Sequence, residues 1–278
     1  MARRLSTVGL TVLAVTVALA AWAVLIEPAW VVTRETRLTI ARWPTAVGPL
    51  RIVAPSDLHT GAPHVTVDEL AGIVARTNAE HPDLIVLLGD YVIHGVIGGR
   101  FVEPERTASA LRGLAAPLGV FAVLGNHDWW YDGDRVSRAL AGAGIRVLED
   151  TAAPVETRGG PLWIAGVSDL YTRRSDVGRA LASVPEGAPV IVLTHNPDVF
   201  VRVPPRVLLT LAGHTHGGQV NLPFFGRLIV PSQFGERFAI GHVREDGRDL
   251  FVTPGIGTSI VPVRFGVPPE ISVLTVGR

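Results

Sequence analysis

The sequence has no cysteine, no lysine, a single methionine and no excess of either charge: 25 acidic side chains balance 25 basic ones, all of them arginine. Without cysteine there are no disulfides, thiol nucleophiles or thiolate ligands, so a metal would have to sit on nitrogen and oxygen. A balanced charge and a pI near 7.2 leave no electrostatic footprint for nucleic acid, and no nucleic-acid partner is expected. Repeats, low-complexity stretches and Ser/Gly-rich linkers are also missing. At 278 residues and 47% hydrophobic content the chain is neither disordered nor fibrous, and it can build one folded domain.

The first charge-free run is long. Leu5 to Ile26 is 22 residues without a charge, preceded by Arg3 and Arg4 and followed by Glu27 and Pro28. As a helix it would measure roughly 33 Å at about 1.5 Å per residue, enough to cross a hydrocarbon core of about 30 Å. Residues 1–27 are therefore expected as a single-pass transmembrane anchor. The two arginines are expected to place the N-terminus in the cytoplasm and the rest of the chain on the extracytoplasmic side of the cell membrane. The competing reading is a cleaved signal peptide and a secreted domain, since Ala18-Leu19-Ala20 and Ala21-Trp22-Ala23 both have the small-x-small form of a cleavage site. Residues 28–48 are expected as an extended lead-in segment, and 49–278 as the catalytic domain.

From Leu50 onward apolar runs alternate with amphipathic stretches. Ile52-Val53-Ala54 precedes a predicted helix over Val67 to Asn78, then Leu84 to Leu88 follows; further helices are expected near Glu105–Leu114, Arg135–Ala143 and Val177–Ser183. Short, wholly apolar runs after helices predict buried, largely parallel strands, so the class is α/β, turning mostly to strands after Leu211. Chemistry-bearing residues fall directly beyond these runs: Asp57-Leu58-His59, Gly89-Asp90, Gly125-Asn126-His127-Asp128, Thr194-His195-Asn196 and Gly213-His214-Thr215-His216. Any one of them would pass as turn chemistry. Five of the nine histidines lie in these clusters, however, and the carboxyl ends of strands in open α/β sheets border one crevice. His64, His81, His94 and His242 lie outside and are expected on surfaces or loops.

Imidazoles mixed with carboxylates suit Mn, Fe or Zn better than Mg or Ca. Asp57 and His59, two apart on an extended segment, can hold one ion, and Asp90 can bridge two through its two oxygens. A pair of cations exceeds the charge of Asp57, Asp90 and a bridging hydroxide, which leaves a positive residue suited to an anionic phosphate ester.

In order and content, D-x-H, GD, GNHD, a further His and GHxH resemble the calcineurin-like metallophosphoesterases, more narrowly the bacterial YaeI/YkuE-like group, over about Arg51 to the end. Pro254-Gly255-Ile256-Gly257-Thr258-Ser259 and Pro269-Glu270-Ile271 are similar to that group too. The resemblance implies a metallophosphoesterase-type β-sandwich flanked by helices (αββα). It implies a first ion on Asp57, His59, Asp90 and His216 and a second on Asp90, Asn126, His195 and His214. It also implies that His127 contacts the phosphate or protonates the leaving oxygen while Asp128 orients His127. The expected activity is hydrolysis of phosphomonoesters or phosphodiesters by a metal-bridging hydroxide in line with the leaving group. Alternatives are a lipid-linked pyrophosphate or phosphate substrate of the UDP-diacylglucosamine type, and a non-catalytic metal-binding module. Trp129, Trp130 and Tyr131, with Leu222 to Phe225 and Leu228 to Val230, could form an apolar rim for a substrate or simply pack in the core.

Overall fold

The computed structural model describes residues 6–278; Arg3 and Arg4, on which the expected orientation rests, and Leu5, which opens the charge-free run, lie outside the described residues. α1 (Thr7–Ala21) starts where the Ser6 hydroxyl accepts the Gly9 amide at 3.2 Å, and none of its residues is buried. It runs on through a wider turn, Trp22–Ile26, and a tight one, Glu27–Ala29. Thr7–Ala29 is one helical stretch of 23 residues, long and apolar enough to cross a membrane.

In chain order there follow β1 (Val32–Thr39), β2 (Leu50–Ala54), α2 (Val67–Ala79), β3 (Leu84–Leu87), α3 (Pro104–Leu111), β4 (Val120–Ala122), α4 (Asn126–Tyr131), α5 (Gly133–Gly142), β5 (Arg146–Val147), β6 (Thr151–Thr157), β7 (Gly160–Val167), α6 (Val177–Ala180), β8 (Val190–Thr194) and β9 (Leu209–Ala212). A small hairpin, β10 (Asn221–Leu222) and β11 (Gly226–Arg227), then leads to β12 (Gly241–Glu245), β13 (Arg248–Val252) and β14 (Glu270–Gly277).

Two six-stranded sheets result, ordered β1-β14-β2-β3-β4-β5 and β12-β13-β9-β8-β7-β6. β2 to β5 run parallel in the first, and β7, β8, β9 and β13 run parallel in the second. The period of two along each strand sorts the side chains into layers. Ile52, Leu84, Val86, Ile191, Leu193, Leu209 and Leu211 meet between the sheets. Val53, Ile85 and Leu87 face the other way, onto Leu70 and Ile73 of α2, Leu111 of α3 and Leu140 of α5. Val190, Val192 and Ala212 likewise turn outward to Val177, Ala180, Phe200 and Phe238. Both faces of each sheet are thus covered, which is why the central strands read as continuous apolar runs. The order of layers is the expected αββα.

Local chemistry sets the helix ends. Thr66 and Glu69 form a capping box at α2, with the Thr66 amide to Glu69 Oε2 at 2.6 Å, and Pro104 occupies the first turn of α3. The helix near Val177 is one turn, shorter than its sequence pattern suggests. Residues 28–48 are woven into the domain: β1 pairs with β14 along eight residues, and Leu38, Ile40 and Trp43 are buried between the sheets. The β6–β7 hairpin was not anticipated. Its signal is Gly159-Gly160 at the turn, where Gly160 has φ +99° and a Cβ on Gly159 would clash with the Ala46 carbonyl.

Ile191, fully buried between the sheets, is the sharpest test of this packing. Ile191→Ala is expected to lower unfolding free energy by about 2–5 kcal/mol in urea titrations of the detergent-solubilised chain.

Candidate metal centre

Each predicted cluster sits where a central strand gives out: Asp57 and His59 after β2, Asp90 after β3, Asn126 to Asp128 after β4, His195 after β8, and His214 and His216 after β9. The first three come from one sheet and the last two from the other. At these ends the backbone turns sharply. Asp57, His59, Asp90, His214 and His216 all have positive φ, between 44° and 70°, a region unfavourable for residues with a Cβ. Strain of about 1–3 kcal/mol per residue gathers where it aims side chains inward. Neighbouring glycines supply the room: a Cβ on Gly125 would lie 2.1 Å from Asp90 Oδ1, and one on Gly213 would lie 2.4 Å from Asp57 Oδ2.

The side chains converge. One ligand atom each from Asp57, His59, Asp90 and His216 lies within 4.8 Å of the others, and Asp90, His195 and His214 form a second such group; all six residues are buried. Asp90 belongs to both. Asn126 Oδ1 joins the second group at 3.1 Å from His195 Nε2. His59 Nε2 faces His216 Nε2 at 3.1 Å, and His195 Nε2 faces His214 Nδ1 at 3.1 Å and Asp90 Oδ2 at 3.3 Å. His195 Nδ1 lies 2.7 Å from the Leu88 carbonyl oxygen, so it donates there and leaves Nε2 turned toward the cluster. That one nitrogen has three acceptors around it, more than a single N–H can serve, whereas a cation among them would satisfy all.

The electrostatics point the same way. Burial disfavours charge on every ring and pushes His59 and His214 down to about 3, keeping lone pairs free, and it holds His216 well below the ordinary imidazole range as well. Burial also opposes charge on His195, but Asp90 and Asp57 beside it outweigh that and raise it to about 10. Burial lifts Asp57 to about 6, with Asp90 adding like-charge repulsion, while Asp90 itself is held well below the ordinary range because His195, His127 and His59 outweigh its own burial. Two buried carboxylates therefore need positive charge beside them. A divalent cation would compete for that place with the His195 proton. The donors, nitrogen and oxygen only, fit Mn, Fe or Zn.

His127 lies at the edge of the cluster, its Nε2 3.9 Å from Asp90 Oδ2 and its ring against His59 and Trp130. Asp128 does not reach that ring. Its two oxygens accept the amides of Gly125, Asp90, Tyr91 and Val92 at 2.8–3.1 Å, so it ties the start of α4 to the Asp90 loop and can orient His127 only through the backbone. His94, expected on a surface loop, is exposed but stands 6.0 Å from the His127 ring, and Tyr171 packs 5.1 Å from His214. Tyr171 lies just beyond β7, a strand the apolar runs do not single out, and His94 lies further along the loop after Asp90, so neither is marked by the pattern that flags the clusters. Of the aromatic segment after His127, Trp129 and Tyr131 are half-buried against the helix-side core and Trp130 is exposed beside His127 and His94.

The family model for calcineurin-like phosphoesterases matches residues 50–218, from β2 through the last of the clustered histidines, His216. The chain is a calcineurin-like phosphoesterase. It is 30% identical to the metallophosphoesterase YkuE of Bacillus subtilis over 253 residues, covering 90% of this chain and 87% of YkuE. It is likewise 30% identical to the phosphodiesterase YaeI of Escherichia coli over 257 residues, covering 89% of each. With the UDP-2,3-diacylglucosamine pyrophosphatase LpxG of Chlamydia trachomatis it shares 29% identity, covering 95% of this chain and 94% of that protein. This phosphoesterase is thus a hydrolase, of a family that uses divalent metals. Residues beyond the matched stretch still shape its centre: Gly255 and Gly257 press on Asp57 and His59 so closely that a Cβ would come within 3 Å.

Gly125→Ala should displace Asp90 without disturbing the sheets. Metal affinity, measured by titrating Mn into the chelator-stripped protein, is expected to fall about 10–100-fold with an unchanged circular dichroism spectrum.

Proposed function

We propose that this phosphoesterase hydrolyses phosphomonoesters or phosphodiesters at a centre of two cations. One is held by Asp57, His59, Asp90 and His216, the other by Asp90, Asn126, His195 and His214. The observation that supports this most is Asp90, whose carboxylate lies in both donor groups. When bound, such a pair would lower the pKa of a coordinated water and neutralise charge on the phosphoryl oxygens.

The protein's own residues do the rest. Asp90 and the four ligand histidines stay fixed because their backbones are locked at the strand ends, so nothing need reorganise as charge develops. His127, at the open edge, donates a proton to the departing oxygen. Burial lowers its pKa while Asp90 opposes, which makes the protonated ring a stronger acid than free imidazole. Asp128 holds the His127 turn and the Asp90 loop in register. In this reading residues 1–27 anchor the chain, with 28–48 leading into the domain at 49–278, which faces the extracytoplasmic side, or is secreted if the leader is cleaved. A second reading, hydrolysis of a lipid-linked pyrophosphate, is favoured by the likeness to LpxG along nearly the whole chain. The chain's occupied set of ligand positions weighs against a purely structural metal module.

His127→Ala is expected to leave metal content intact and to slow hydrolysis of alkyl phosphate esters by about 10²–10⁴-fold, with a much smaller loss for p-nitrophenyl esters, whose leaving group needs no proton. Steady-state kinetics across leaving groups checks this; equal losses for all of them would remove the acid role. Asp90→Ala should abolish turnover of every ester, and the ratio of rates on p-nitrophenyl and bis-p-nitrophenyl phosphate separates monoesterase from diesterase.

A further inference from the structure

The end of α1 and its following turns are stitched to the domain at three points. The Arg264 amide donates to the Ala23 carbonyl at 2.9 Å, the His64 ring bonds the Val24 carbonyl at 2.9 Å, and the Val267 amide donates to Glu27 Oε1 at 2.8 Å. Glu27 Oε2 accepts the Trp22 indole N–H at 2.7 Å, and Trp22 meets Trp30 edge to face at 6.1 Å, both with part of the ring exposed. An aromatic pair at the end of an apolar helix is the usual marker of the membrane–water boundary. The height of the domain over that boundary is therefore set by residues 264–267.

Several large exposed apolar side chains are attached to the same segment. Ile260 is 69% exposed, and its carbonyl accepts the amide of Ile97, itself exposed, at 2.9 Å. The Gln219 side chain bonds the carbonyls of Val261 and Val263 at 3.2 Å, and the Asn221 amide donates to the Phe265 carbonyl at 2.8 Å. From Asn221 springs the β10–β11 hairpin. Its tip is Phe224, fully exposed, and Phe225, 77% exposed; Leu228 and Ile229 follow, equally bare. Arg227 is the one charged residue between Leu222 and Val230, and its Nε is turned back onto the Gly217 carbonyl at 2.8 Å. An apolar patch of this kind beside a folded centre marks an interaction surface, and its continuity with the end of α1 names the partner.

We propose that Ile97, Phe224, Phe225, Leu228, Ile229 and Ile260 insert into the headgroup–acyl boundary of the leaflet from which α1 emerges, as a second membrane contact besides the helix. The proposal rests on the reading of α1 as a membrane span. Because Arg227 grips Gly217, next to His216, this contact fixes the metal centre close to the bilayer surface.

The absence of cysteine makes a clean test available. Full-length single-cysteine variants Phe225→Cys, Ile229→Cys and Ile260→Cys, each labelled with nitrobenzoxadiazole, are reconstituted in phosphatidylcholine–phosphatidylglycerol vesicles with nitroxide-labelled lipid. Val15→Cys reports on α1. Asp246→Cys is the aqueous control, since its turn packs near Arg42, past the far end of β1 from the anchor. Three independent surface sites guard against one variant misfolding, and far-ultraviolet circular dichroism verifies each. The expected result is an emission loss of about twofold or more at the three rim sites and at Val15, with Asp246 quenched only by iodide. Rim labels as open to iodide as Asp246, with Val15 quenched by lipid, overturn the second contact and leave the span standing. Rim labels shielded from both quenchers overturn it in favour of a protein covering the patch. An unquenched Val15 overturns the span reading and the contact with it.

Discussion

The structure is organised around the carboxylate of Asp90. It is buried between two sheets with Asp57 as an acidic neighbour, three histidine rings close about it, and both donor groups include it. A buried carboxylate without compensating charge is among the costliest arrangements a fold can hold. Here the compensation is local and directional: nitrogen lone pairs and N–H groups aimed at one place, and the His127 amide donating to Asp90 Oδ1 at 2.9 Å. What would destabilise a purely structural core becomes useful once cations share the space.

The αββα arrangement explains how such a cluster can be built. Parallel strands with both faces covered end at one edge, and the chain must turn there over the top of the sheet toward a helix or loop. Two sheets packed face to face bring two such edges together, so β2, β3 and β4 offer Asp57, His59, Asp90 and Asn126 to the His195, His214 and His216 offered by β8 and β9. Left-handed backbone at five of these residues and tight glycines beside them convert loop ends into fixed positions for side chains that could hold a metal. The large apolar layer between the sheets offsets this strain, so stability and site geometry are expected to respond to different mutations.

Much of this is legible in the sequence. Fully apolar runs mark the central strands, and the polar residues directly after them are the ones the fold brings together, because burial and strand ends impose short-range patterns. Long-range pairing was less visible. β1 lies parallel to β14, more than 230 positions away, and its half-exposed alternation reads equally well as a linker. Asp128 illustrates a different limit: the family resemblance implies that it orients His127, but four backbone amides take up its oxygens, and only the fold brings three of them from the Asp90 loop. His94 and Tyr171 reach the edge of the centre from loops with no periodicity to betray them.

The proposed pair of cations is tested most directly by anomalous diffraction from crystals of the full chain grown with Mn. Two peaks, one on each side of the Asp90 carboxylate and each ringed by its own histidines, are what the account predicts. A single peak, or manganese bound away from Asp90, would contradict it.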